Sequence, residues 1–457
     1  MHLGRIAIAK SINTRRKEFM TRTRAFTRVF IGSSVVALAA MASLSVGCGS
    51  KTPSATGTAG AAGTAGATGG AGATGGAGAT GTAGAAGGGI DAAAGQGGSP
   101  ADGGSDTGVA AGPCTPFAKV DQPIAKLSQT GCVDPAHPTK LASIVVPYEL
   151  NSPLWSDNAN KERGFVIPAG SKIHVKNCAV ASTECMQGPA DTGKWVMPVG
   201  TVMVKTFSFD GKNVETRLLM HTDATTWNGY TYQWNEEQTE ATVVPADEDP
   251  SLNNMRKQIM FNTGTQTVTW NFPYRFDCTG CHTTTAGGTL GPETRQMNRT
   301  VGGMNQIDRW KSLPTGSLFE GTGPAMPYQA PLVLPYDGQL GTFSGTPEQR
   351  TRSYLHANCA YCHRPDDEKV GWMDFRLDTA LKDMGACGIA PMKSTAGGPA
   401  TSQIIKPGKP MESVMWLRMH APFMNDKIRM PQLATYIVDD AGLKLVGDWI
   451  TSITACP

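Results

Sequence analysis

From Thr52 to Ile90 the chain carries no charged residue and is nearly all Gly, Ala and Thr, with GATGGA repeating from Gly66. Such a composition has too little apolar surface to offset the entropy lost on ordering it. Residues 49–112 therefore read as a flexible, disordered linker, and whatever folds must lie outside them. As a Gly-rich coil the linker has a typical end-to-end distance of roughly 40–50 Å, from about 5–6 Å × √n. The remainder, 113–457, is long enough for two or three domains.

Ahead of the linker, Arg22, Arg24 and Arg28 precede an uncharged apolar stretch from Val29 to Gly47, and Cys48 follows. A positive region before a short apolar one is the layout of an export signal. The ending LSVGC resembles a bacterial lipoprotein signal, which implies a signal peptide over residues 1–48 and lipidation of Cys48. The alternative is a retained anchor, since 19 apolar residues just suffice to span a bilayer. Both readings export the chain and tether it to a membrane in the bacterial cell envelope, facing the periplasm or the cell surface.

The formal charge of +3 comes from the leader, because residues 1–47 hold eight Lys/Arg against one Asp/Glu. Without them the balance is about −4, with 32 basic and 36 acidic residues. A nucleic-acid partner gets no support from that balance.

Eleven cysteines divide cleanly. Cys48 belongs to the leader, and four sit in two C-x-x-C-H motifs, Cys278/Cys281/His282 and Cys359/Cys362/His363. Six remain, an even number that suggests disulfides in an exported protein. Cys178 and Cys185 bracket a short polar loop and make the best local pair. Cys387–Cys456 and Cys114–Cys132 are the accompanying guesses among the combinations that six cysteines allow.

C-x-x-C-H supplies two thiols for thioether bonds to the vinyl groups of haem c and a histidine that reaches the iron from one side. Zinc would want four ligands in compact pairs, whereas these motifs lie 81 residues apart. A thioredoxin-like dithiol would want a βαβ setting and no second copy. Two haem c groups are expected, with Cys278, Cys281, Cys359 and Cys362 as covalent anchors and His282 and His363 as proximal iron ligands.

Around the second motif, TPEQRTRSYLHANC reads as a helix with Thr346 as N-cap and Pro347 at its first position. Downstream, VDDAGLKLVGDWITSI reads as an amphipathic helix with Ala441, Leu443, Leu445, Val446 and Trp449 near one face. Between them stands Met430-Pro431, 67 residues after His363. This order resembles a class I cytochrome c over residues 345–457, which implies Met430 as the second axial ligand. Met392, Met411, Met419, Met424 and His420 compete, and core packing is the plainer role for any of these methionines. His356 is expected to pack near the haem edge.

The first motif follows QTVTWNFPYRFDC, which reads as strand and turn. LGPETRQMNR and NQIDRWKSL behind it suit short helices. For its second axial position Met326, 44 residues beyond His282, and His221 are the leading candidates. Met297 and Met304 compete, and an open position is a further alternative. Residues 140–275 look all-β, with a hairpin at Asp210-Gly211. Tyr230, Tyr232 and Trp234 fall on one face of a strand, more in keeping with sheet core than with a ligand platform. His137 and His174 have no partner pattern and read as structural or exposed.

Taken together, PLWSDNANKER, MPVGTVMVKTF, VETRLL, WNGYTYQWN, CTGCH with LGPETRQMN, and YLHANCAYCHRP resemble a family of exported bacterial di-haem c-type cytochromes. Many of these are lipoproteins, with a β-rich N-terminal half and a cytochrome c tail. The resemblance implies haem c at both motifs and brings no particular reaction with it. The expected fold is α+β and multidomain: a β-rich N-terminal domain over 113–275, followed by mainly α cytochrome c-type haem regions. These are a first haem c segment over 276–344 and a class I cytochrome c-like domain over 345–457. The expected function is membrane-tethered electron transfer with redox partner proteins, more an electron carrier than an enzyme with its own substrate. Alternatives are a peroxidase-like di-haem redox enzyme with an open first haem, or a haem-bearing docking module for another protein.

Overall fold

The computed structural model describes residues 113–178, 185, 191–245, 258–263, 267–333, 345–365, 372–422, 428–432 and 435–457. The leader with Cys48, the linker and Met424 lie outside the described residues. The described residues pack as one compact unit.

Ten strands come first: β1 (Val146–Pro147), β2 (Asn160–Val166), β3 (His174–Val175), β4 (Trp195–Val196), β5 (Val202–Phe209), β6 (Lys212–His221), β7 (Trp227–Trp234), β8 (Ala241–Val243), β9 (Gln258–Asn262) and β10 (Thr267–Asn271). Six of them form an antiparallel sheet in the order β1-β2-β5-β6-β7-β8, while β3 with β4 and β9 with β10 make separate ribbons. The β5–β6 hairpin turns on Asp210 (φ 50°) and Gly211 (φ 80°), the pair of left-handed residues that a two-residue type I′ turn requires.

Alternation divides the sheet into two buried faces. One packs Val202, Val204, Leu218, Met220, Tyr230, Tyr232 and Trp234 against Leu127, Cys132 and Val133, so the aromatic stripe is sheet core, as expected. On the other face the register aligns Phe165, Met203, Leu219 and Gly229 in one row and Arg163, Lys205, Arg217 and Thr231 in the next. Part of this face is covered by Met297, Ile307, Trp310 and Phe319.

The helices are α1 (Arg275–Cys281), α2 (Thr294–Met297), α3 (Gln306–Lys311), α4 (Pro347–Asn358), α5 (Val414–His420) and α6 (Asp440–Ser452). They overturn the expected fold class: the segments bearing the two motifs are not mainly α, and they do not stand apart from the β-rich part. Glycine and proline recur every few residues between Cys281 and Pro327, so no helix there exceeds two turns. Among the described residues beyond 345, only α4 and α6 are longer than seven residues. They pack on each other through Tyr354, Leu445, Val446 and Trp449, and a Cβ on Gly442 would come within 2.6 Å of the Tyr354 ring. Ala441 is exposed, so the α6 face is shifted from the one expected.

Hydrogen bonds tie the C-terminal part to the sheet side. The Asn358 side-chain oxygen accepts from Trp155 N–H (2.7 Å), and the Asp157 carboxylate accepts from Tyr436 and Ile437 N–H. Arg295 makes two bonds to Asp378 (3.1 and 2.8 Å). The three expected disulfides, Cys114–Cys132, Cys178–Cys185 and Cys387–Cys456, are all formed.

Candidate functional site

The strand expected ahead of the first motif forms as β10, but the residues that follow, from Arg275, make the short helix α1 that carries the motif. The Asp277 carboxylate accepts the Tyr274 N–H (3.0 Å) at its start, which satisfies one of the donors a helix N-terminus leaves open. The helix then lies against β7. A Cβ on Gly229 would stand 2.4 Å from Cys278 Sγ and 2.7 Å from Cys278 Cβ, so only glycine at that strand position lets Cys278 dock so closely.

Cys278, Cys281 and His282 line a cavity of about 130 Å³ that opens to solvent. Tyr148, Leu150, Leu154, Met203 and Leu219 supply an apolar wall, and Arg163, Lys205 and Arg217 a cationic one. His282 Nδ1 lies 2.7 Å from Gly288 O. A carbonyl only accepts, so Nδ1 carries the proton and Nε2 keeps its lone pair, the tautomer a metal-ligating histidine needs. Burial holds the imidazole down at about 4, against the Gly288 contact and together with the nearby charges of Lys205 and Arg217. The ring is therefore neutral near pH 7.

The second motif begins where α4 ends. Thr346 caps that helix by accepting from Gln349 N–H, with Pro347 in its first turn, as the sequence predicts. Cys359 N–H then donates to Leu355 O and His363 N–H to Cys359 O, so the helical path carries all three motif residues round one further turn. The His363 ring stands 4.9 Å from that of Phe375. Burial pushes the Cys359 thiol up to about 12, the reverse of what a redox dithiol needs.

Between the motifs lies a shared wall. Tyr361, inside the second motif, lines the cavity of the first. His356, on α4, is buried with Nε2 2.9 Å from Glu293 and Nδ1 accepting from Leu377 N–H. It packs between the two motif segments, and its nitrogens are both engaged by protein.

The candidates for the distal positions fare unequally. Met326 is 68% exposed and does not line the cavity. His221 is buried, stacked on Trp227 at 4.2 Å and paired through Nδ1 with Pro198 O, also outside the lining. Met297 is fully buried in the core beside Gln306. Met203 and His282 are the only methionine and histidine lining the cavity among the described residues. Met430 is half-buried and its N–H donates to Arg418 O; Met419 packs against the same core as Cys359. Met392 and Met411 are exposed, and His420 is exposed and stacked on Trp416.

Met203, Lys205, Gly229 and Tyr361 were not singled out from sequence as site residues. Strand alternation in VMVKTF does put Met203 and Lys205 on one face, but nothing local says that this face meets a cysteine motif.

The donor set suits covalently attached haem c. Cys278, Cys281, Cys359 and Cys362 stand outside the three formed disulfides. A largely apolar cavity with a few convergent polar groups flanks the first pair. Among the described residues no group of three or more His, Cys, Asp or Glu gathers to hold a metal ion. Compared with known protein families, curated proteins and solved structures, the chain matches none.

Proposed function

We propose that the protein is a di-haem c-type electron carrier, tethered to a membrane of the bacterial cell envelope by a lipid on Cys48 and exchanging electrons with redox partner proteins. Haem c groups on Cys278/Cys281 and Cys359/Cys362 would supply one-electron exchange at iron. The observation that carries this reading is Tyr361: a residue of the second motif forms part of the wall of the first motif's cavity. Two redox groups built on these motifs would be separated by packed protein with little intervening space. His282 is held by Gly288 in the tautomer that ligates, and His363 and Met430 are the proposed ligands at the second motif. The linker over 49–112 would give the head reach to meet partners on either side.

A second reading is favoured by one observation. Neither Met326 nor His221 lines the first cavity, so the first iron would stay open unless Met203 takes its sixth position. An open iron would make the protein a redox enzyme acting on a small oxidant such as peroxide. The discriminating experiment is a spectroscopic ligand count on the haem-loaded protein, oxidised and reduced, with carbon monoxide and peroxide added. Two six-coordinate low-spin haems inert to both support the carrier. One high-spin haem that binds carbon monoxide and consumes peroxide overturns it in favour of the enzyme. A protein without covalent haem overturns both.

A further inference from the structure

The first cavity has a charge pattern that a sheet does not adopt without cause. In the antiparallel register Arg163 of β2 stands opposite Lys205 of β5, and Lys205 opposite Arg217 of β6. Like charges directly opposite on neighbouring strands repel. Here three in a row face the cavity that Cys278, Cys281 and His282 line.

Their partners within the protein do not balance them. Arg217 is neutralised by Glu215, which it meets with two bonds of 2.5 and 2.9 Å. Glu215 is itself fully buried and also accepts from Trp270 Nε1, so it has little left to offer. Lys205 rests its ammonium 4.8 Å over the Phe207 ring. Arg163 is 9% exposed and donates to Lys161 O through one terminal nitrogen. Its other terminal nitrogen is buried with no hydrogen-bond partner. Glu149, the carboxylate whose charge acts on Arg163, is paired with Arg299 at 3.3 Å. Asp277, the one carboxylate in the lining, caps α1 through Tyr274 N–H. Arg163 and Lys205, whose amine is pushed well below the usual lysine value by burial and then by the Arg163 charge, thus face the cavity without a matching acid, and a buried donor left unmade is expensive.

We infer that Arg163 and Lys205 are positioning residues for two carboxylates, the propionates of a haem c attached at Cys278 and Cys281. This rests on the haem reading of the first motif. A macrocycle with two ionised carboxylates matches the surplus in number and in sign, and charge-assisted bonds to guanidinium and ammonium are the strong kind. A free carboxylate drawn from solution has the same chemistry, and the test separates the two sources.

The experiment is haem-resolved potentiometry with resonance Raman of the propionate bands, on the full haem-loaded protein carrying Lys205→Met, Arg163→Met or both. A cation beside a propionate shields its negative charge from the iron, so its loss favours the ferric state. The expected result is a lowered potential and shifted propionate bands for the first haem, an unchanged second haem, and retention of both properties in Lys205→Arg. Unaltered potential and bands in the double variant, with both haems present, overturn the inference and leave the haem reading standing. In the unmutated protein, propionate bands indifferent to added acetate support it even if the variants fold poorly. A first-haem potential that titrates with acetate overturns it in favour of a solution anion. Absence of haem from the Cys278–Cys281 peptide overturns the haem reading and this inference together.

Discussion

Gly229→Ala tests the closest approach on which the first site depends. Gly229 does not occupy the left-handed region, so alanine there adds no backbone strain. By narrowing the unfolded ensemble alone, Gly→Ala would stabilise by about 0.4–1 kcal/mol. The contact reverses the sign. The new methyl would lie 2.4 Å from Cys278 Sγ and 2.7 Å from Cys278 Cβ, and neither atom is the far end of a long side chain that can swing aside. Either α1 lifts or β7 bends, and overpacking of this kind costs about 1–3 kcal/mol. The net expectation is a loss of about 1–2 kcal/mol, with α1 displaced from the sheet. Urea unfolding of the haem-free head measures the first effect through its midpoint. Mass analysis of tryptic peptides measures the second: haem lost from the Cys278–Cys281 peptide and kept on the Cys359–Cys362 peptide. An unchanged or raised midpoint with both peptides fully loaded would refute the docking of Cys278 on β7.

Replacing Tyr361 with Leu should slow electron redistribution between the two haems while leaving both potentials where they were; an unchanged rate in flash-photolysis kinetics removes Tyr361 from the path. Burial alone would raise the Glu293 carboxyl, but the hydrogen bond from His356 Nε2–H, then Arg295 and Lys194, outweigh it and hold it down at about 2 against an ordinary 4.5. A depressed carboxylate stabilises above its unfolded value and loses that contribution as pH falls through the folded one. Roughly 3 kcal/mol should therefore fade between pH 4.5 and 2, and Glu293→Gln should flatten the acid limb of the stability curve; an acid limb identical to the parent's would deny the pair that role. Cys387–Cys456 closes a span of 69 residues, so the double serine variant should lose about 4 kcal/mol by the loop-entropy relation; a urea midpoint within error of the parent's contradicts it.

Local signals were legible and long-range ones were not. The Asp210-Gly211 turn, the Thr346 cap of α4 and the C-terminal helix are set by residues a few places apart, and each forms where the chain suggests. The disulfide pairs were within reach because few cysteines remained once the motifs were set aside. The fold class failed for a physical reason. Two genuine helices, α4 and α6, invited a mainly α domain around them, but the described residues between them hold only the seven-residue α5 and short 3-10 turns, and otherwise pack as loops. The cavity failed to show because its wall is a property of register. Arg163, Lys205 and Arg217 lie tens of residues from the motif they face, and only pairing of β2, β5 and β6 brings them into one row. Met326 was attractive by its spacing from His282 along the chain, a measure that carries no information about which side chains end up in one cavity.

The single compact unit also bears on how the two motifs relate. His356 accepts Leu377 N–H on Nδ1, so Nε2 must carry the proton that Glu293 accepts. That one ring joins α4 to the segment before α2 and to the loop after the second motif. Arg364, directly behind that motif, adds bonds to Thr285 O (3.1 Å) and to Asp191 (3.0 Å), and both partners belong to the first motif's surroundings. The turn after His282 and the turn after His363 are thereby fastened to each other by buried, charge-assisted contacts, which are expensive to break one at a time. A relay between two redox groups requires a fixed separation, and a hinged pair of domains would not supply it. The packing that joins the two motif segments is thus the same packing that the proposed electron carrier would need.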